Sequence, residues 1–245
     1  AVGEGHEATR ATLSRELGIA ATADNAAAIR KANVVVVAVK PQDVGSMLAP
    51  LGAPLQQRRP IVLSIAAGIR IQVLQSWCGA NVPVIRAMPN RPALMGAGAT
   101  GLFAPAEVDA SRRAVAAQIM QSVGEIVWVA TEDALDVVTA LSGSGPAYFF
   151  LLAEALAQAG ADLGLPMETA QRLAIATLHG AGLLAHGSDG DLARLRAEVT
   201  SKGGTTEAAL RILQTAGFNE LIGRAVAGAT HRGRELAEQA GGTSR

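Results

Sequence analysis

The chain has 245 residues, 49% hydrophobic and 17% charged, enough to bury one large core or two ordinary ones and too apolar for a disordered chain. Lys and Arg together number 21, as do Asp and Glu, so there is no basic field for nucleic acid or an anionic membrane, and a small-molecule partner is expected. Cys78 is the one cysteine, which excludes an internal disulfide and suits a reducing, cytoplasmic setting.

The opening AVGEGHEA sets Gly3, Gly5 and Ala8 at the G-x-G-x-x-A spacing of a pyrophosphate-binding turn, but only Ala1 and Val2 precede it where a whole strand is needed. Residues 8–17 read as a helix ended by Gly18, and Asp24 caps a second over 25–32. Then come an apolar strand at 34–39, a helix at 43–51, a strand at 61–65, a helix at 71–77 and a strand at 82–87. Fully apolar strands alternating with helices predict a parallel, doubly wound sheet covered on both faces. The run at 34–39 is far too short to cross a bilayer and stops at Lys40. A helix over 111–123 and a strand over 125–130 close this half, and beyond about Ala134 every segment reads as helix. Several of those helices are Ala-rich and apolar on more than one face, which predicts burial against a partner subunit.

In open α/β sheets ligands bind at the C-terminal strand ends. Three ends here share a pattern of turn formers and small residues: Lys40-Pro41-Gln42, Ala66-Ala67-Gly68 and Met88-Pro89-Asn90. In the helical half, LSGSGPAYFF brings Gly143, Gly145 and Pro146 together and must interrupt or kink a helix. VTSKGGTTEAAL frees the backbone at Gly203 and Gly204 and offers Thr205 or Thr206 as a helix cap, which aims several N–H donors at one point and suits a carboxylate or phosphate. The histidines, His6, His179, His186 and His231, form no metal-ligand spacing and no Ser-His-Asp set, so no metal site is expected.

Taken in order, AVKPQ, SIAAGI, RAMPN with PALMGAG, LSGSGPAYFFLLAEALAQAGADLGLP and VTSKGGTTEAAL resemble pyrroline-5-carboxylate reductases over essentially the whole chain. The resemblance implies a Rossmann-type NAD(P)-binding domain, residues 1–131, followed by an all-helical domain, residues 132–245, that dimerises and binds substrate. It also implies a cytoplasmic homodimer, often assembled further, that reduces the imine of 1-pyrroline-5-carboxylate to L-proline with hydride from NADPH or NADH.

Position by position, the resemblance puts the substrate carboxylate on a loop from Ser201 through Gly203, Gly204 and Thr205 to Thr206, with the Thr206 hydroxyl near the ring nitrogen as the catalytic group. Glu132 matches an acidic residue near the substrate. Cofactor contacts fall on Gly3, Asn25, Ala38, Val39, Lys40, Pro41, Ala66, Ala67 and Gly68. In this register Gly3 follows the second strand of the sheet, and the pyrophosphate-binding turn and first strand lie upstream of Ala1. About thirty further residues, one βα unit, are therefore expected before Ala1, and the sheet should break where that strand belongs. Three departures stand out: Arg91 where Thr is common, Lys202 where Pro is frequent, and Glu198, whose charge is unfavourable beside a carboxylate. Two other readings stay open: a related two-domain hydroxyacid-type dehydrogenase, which would need a Lys or His acid-base group, and a non-catalytic dimerising remnant.

Overall fold

The computed structural model describes residues 1–242, and side chains as far as residue 239. Residues 243–245, the end of the expected helical domain, lie outside the described residues. Two compact units emerge: 1–143 with the described residues from 229 onward, and 144–228.

In the first unit, β1 (Val2–Gly3) leads to α1 (Glu7–Leu17), β2 (Ala21–Thr22) and α2 (Asn25–Ile29). The expected caps form: Gly18 ends α1 at φ 64°, and the Asp24 carboxylate accepts the N–H groups of Ala26 and Ala27. β1 and β2 pair in parallel as a two-stranded sheet of their own. That is the expected break.

The main sheet begins with β3 (Val34–Val37), continues through α3 (Val44–Leu48) and α4 (Gly52–Arg58) to β4 (Ile61–Ser64), then α5 (Ile71–Cys78) and β5 (Val84–Met88). β6 (Gly98–Phe103), α6 (Ala110–Gln121) and β7 (Gly124–Trp128) complete it in the order β3-β4-β5-β6-β7. Alternate side chains of β4 point into two cores, which is why the run is apolar throughout. Val62 packs with Leu48, Leu55 and Leu74, while Ile61 and Leu63 pack with Ala116 and Met120 of α6.

The sheet is not wholly parallel, because β6 runs antiparallel to β5. Sequence reading missed β6, since GATGLF carries two glycines where strands prefer branched side chains. Their reason is tertiary. A Cβ on Gly98 would sit 2.8 Å from the Val123 carbonyl, and one on Gly101 would sit 2.7 Å from Val138 Cγ1.

α7 (Ala134–Val138) passes through a π turn, Thr139–Gly143, into α8 (Gly145–Asp162), the interruption expected from the glycines and Pro146. Asn90, after β5, clasps this turn: its Nδ2 donates to the Ser142 carbonyl at 3.1 Å while its Oδ1 accepts the Ala99 N–H at 2.8 Å.

The second unit starts within this run and contains α8, α9 (Met167–His186), α10 (Leu192–Glu198), α11 (Thr205–Thr215) and the start of α12 (Phe218–Gly242). α8 and α9 pack as a hairpin around Ala157, Ala170 and Ala174. That core is thin. Phe149, Phe150, Leu151, Leu156, Leu173 and Ile175 are all exposed, with Phe150 at 62% and Ile175 at 64%. Residues 134–162 are long and apolar enough, by length and composition, to cross a bilayer.

The contact units divide after Gly143 rather than at the expected 131/132 boundary, and the chain's end rejoins the first unit. Ion pairs join this stretch to the sheet unit: Glu132 is bonded to Arg86 on β5, and Asp136 to Arg70 ahead of α5.

Candidate active site

The site in the first unit is built from strand ends. Past β3, Ala38, Val39 and Lys40 are exposed, and Pro41 opens a 3-10 turn. Past β4, Ser64 Oγ accepts the Ala66 N–H at 3.3 Å and Gly68 takes φ 76°, a conformation a side chain would strain. Pro41, Ala67 and Gly68 line a cleft of about 690 Å³ together with Gln42, Asp136 and Leu236. Ala38, Val39, Lys40 and Ala66 flank these loops but are not among its lining residues. Gly3 and Asn25 form a second contact point, since a Cβ on Gly3 would collide with Asn25 Oδ1. Beside it, Arg10 Nη1 donates to the carbonyls of Glu4 at 2.8 Å and Gly5 at 2.7 Å, placing a cation at the loop after β1.

One wall of the cleft escaped sequence reading. Gly233 and Leu236 of α12 lie in it, and a Cβ on Gly68 would meet the Ala237 backbone N at 3.6 Å. Nothing local marks these residues, because the sequence between Gly68 and Ala237 gives no sign that the two will meet.

Glu132, expected near the substrate, is held within the fold. Its Oε1 accepts the Ile71 N–H at 2.7 Å, the first N–H of α5, and pairs with Arg86 Nη1 at 2.9 Å. Arg70, the N-cap of α5, makes no side-chain cap, so Glu132 supplies from a distance the anion that a helix N-terminus favours. Arg86 is buried at 4% exposure on a central strand. Burial lowers the pKa of its guanidinium from the ordinary arginine value, and the hydrogen bond it donates to Glu132 opposes that shift.

In the second unit the glycine-rich loop is a tight turn. Gly204 N–H closes onto the Ser201 carbonyl at 3.0 Å, with Gly203 at φ 73°, where glycine alone is unstrained. Lys202 occupies the second position of that turn, which suits Pro but tolerates other residues. A cap by Thr205 or Thr206 was expected for α11, and neither forms one. Gly204 is the N-cap without a side-chain bond, and the Glu207 carboxylate accepts the Gly203 N–H at 2.5 Å. Ser201 and Thr205 are exposed, while Thr206 is half-buried in the first turn of α11. Glu198 is less unfavourable than its position suggested, because Arg194 Nη1 pairs with it at 2.5 Å.

A doubly wound sheet with a cleft on its strand ends fits a flat dinucleotide, and a chain that carries such a sheet and a separate helical unit is of the class of two-domain nicotinamide-dependent oxidoreductases. Residues 132–236 match the family model for pyrroline-5-carboxylate reductase dimerisation, and residues 1–68 match one described as NADP oxidoreductase, coenzyme F420-dependent. A pyrroline-5-carboxylate reductase of Pseudomonas aeruginosa is 46% identical over 95% of this chain and 85% of its own, and one of Synechocystis is 40% identical over 97% and 88%. Among solved structures, a pyrroline-5-carboxylate reductase from Coxiella burnetii superposes with TM-score 0.93 at 39% identity, covering 96% of this chain and 87% of that one. The Plasmodium falciparum pyrroline carboxylate reductase with NADP bound superposes with TM-score 0.77 at 29% identity, over 89% and 82%. The chain belongs to the pyrroline-5-carboxylate reductase family.

Proposed function

We propose that this chain reduces 1-pyrroline-5-carboxylate to L-proline with NADPH, working as a cytoplasmic homodimer. The observation that carries the reading is that one chain holds both a dinucleotide-type cleft lined by Pro41, Ala67 and Gly68 and the turn at Ser201–Thr206, and is 46% identical to a reductase of that name. Lys40, Pro41 and the Ala66–Gly68 loop would hold the cofactor, whose chemistry is the supply of a hydride. Gly3 and Asn25 would meet its adenosine end, and Arg10 offers a cation for a 2′-phosphate there.

With the Gly203 and Gly204 N–H groups taken up by Glu207 and Ser201, the first N–H groups of α11, at Thr205 and Thr206, would receive the substrate carboxylate, and Thr206 would hold the ring nitrogen through its hydroxyl. The protonated imine is electrophilic as it stands, so the protein's task is to orient C5 and exclude water. One hydride adds to C5, the C=N π pair becomes the nitrogen lone pair, and the proton already on nitrogen remains there. Glu132 fixes the start of α5 through Ile71 and Arg86.

A homodimer accounts for the exposed apolar side chains of α8 and α9, which lie inside the stretch matched to the dimerisation model. On this reading the apolar run at 134–162 packs against a second copy rather than lipid. A single cysteine, fully buried at Cys78, suits a reducing compartment. The test is NADPH oxidation dependent on 1-pyrroline-5-carboxylate, with proline identified as the product. Oxidation without proline, or none at all, overturns the reading.

A further inference from the structure

Asp136 is a buried carboxylate, 3% exposed, in the wall of the cleft that holds Pro41, Ala67 and Gly68. Its Oδ2 accepts from Arg70 Nη2 at 2.7 Å and lies 3.9 Å from Arg234 Nε. Three separate parts of the chain therefore meet on one side chain: the loop after β4, the helix α7 and the last turns of α12. A buried carboxylate is costly unless paired, and its loss would strand a guanidinium held against it. Arg70 stands two residues beyond Gly68, so where its fork is held determines where Ala66 to Ile69 present their backbone. Its other nitrogen, Nη1, lies 2.9 Å from Asp133, but that carboxylate is 79% exposed and anchors little. α12 brings its Ala237 against Gly68, and Arg234 of the same helix, 53% exposed, stands in long-range ion-pair distance of Asp136 at 3.9 Å.

We propose that Asp136 is a positioning residue for the cofactor: by holding Arg70 and Arg234 it sets the distance between the Ala66–Ile69 loop and α12, the two walls between which the nicotinamide end is received. The proposal rests on the reading that this cleft takes a dinucleotide, and gives Asp136 no contact with reacting atoms. Asp136→Asn keeps the shape and removes the charge. In the cofactor-free protein the amides of residues 66–69 should then exchange hydrogen faster. The NADPH dissociation constant, measured by fluorescence titration, and KM for NADPH should each rise about tenfold, the scale of one lost charge-assisted contact. Turnover at saturating NADPH and KM for the pyrroline substrate should stay within about twofold, the signature of lost ground-state binding rather than lost chemistry.

Asp136→Glu should recover part of the affinity, and Asp133→Asn should leave it alone. If Asp136→Asn does not fold, Arg234→Gln carries the same readouts with a smaller shift, because it releases only the α12 wall. A folded Asp136→Asn with unchanged loop exchange and unchanged NADPH affinity overturns the proposal. So does a loss of turnover with NADPH affinity intact. A parent protein that binds NADPH but does not reduce the pyrroline substrate, while Asp136→Asn still weakens NADPH binding, overturns the proposed function and leaves this assignment standing.

Discussion

Thr206 is half-buried at the second position of α11 and is free of the capping role that sequence alone would give it, since Gly204 is the cap. A hydroxyl there is available to a ligand rather than to the helix. Thr206→Val keeps the branched shape and removes one hydrogen bond, worth about 1.5–3 kcal/mol when the partner is charged. Turnover of 1-pyrroline-5-carboxylate should therefore fall roughly tenfold to a hundredfold while the thermal midpoint barely moves. Steady-state kinetics beside a melting curve check this, and an unchanged kcat/KM would remove Thr206 from the site. Glu132 makes the opposite point. A charged residue in a loop reads as a ligand contact, yet here its Oε1 is used by the Ile71 N–H and Arg86, and only the fold shows that those groups are near.

Among the elements, β6 shows why propensity failed. Its glycines are weak strand formers, but Gly101 lets α7 approach the sheet until Val138 Cγ1 is 2.7 Å from where a Cβ would stand. Gly101→Ala must push α7 outward, and overpacking of this kind costs typically about 1–3 kcal/mol. Urea unfolding should register that loss, with the m-value unchanged because the surface exposed on unfolding is the same. A variant as stable as its parent would mean that α7 can retreat freely, and with it Asp136 and the cleft wall. The clasp made by Asn90 acts on the same helix from its other end, holding the π turn by the Ser142 carbonyl. α7 is thus fixed by a glycine contact, an amide and two ion pairs, more constraint than a single helical turn could otherwise carry.

For the whole molecule the governing fact is the imbalance between the two units. The first has two large cores, one on each face of its sheet. The second packs α8 and α9 around three buried alanines while its phenylalanines, leucines and isoleucines face outward. Each large apolar side chain left in water forgoes about 1.5–3 kcal/mol of burial, so several together make a solitary copy of this hairpin unfavourable. The protein is expected to sediment as a dimer at micromolar concentration in analytical ultracentrifugation. Phe150→Asp, a charge in the middle of the apolar face, should shift it toward monomer and lower its thermal midpoint. A monomeric parent protein would refute the homodimer.

Local pattern was enough for the sequence to determine the α/β half, the helical half, the caps at Gly18 and Asp24, the break at Gly143–Pro146 and the family, because turns, caps and apolar periodicity are written in neighbouring residues. The strand ends that carry Pro41, Ala67 and Gly68 were legible for the same reason. What only the tertiary structure decided are the meetings of residues far apart in the chain: the antiparallel β6, Glu132 as the anion at the start of α5, Asp136 between Arg70 and Arg234, and the return of α12 to the cleft. A glycine or a carboxylate looks the same in sequence whether it serves a ligand or a neighbouring helix. The choice is made by packing and by the cost of leaving a buried charge unpaired, and both exist only once the chain has folded.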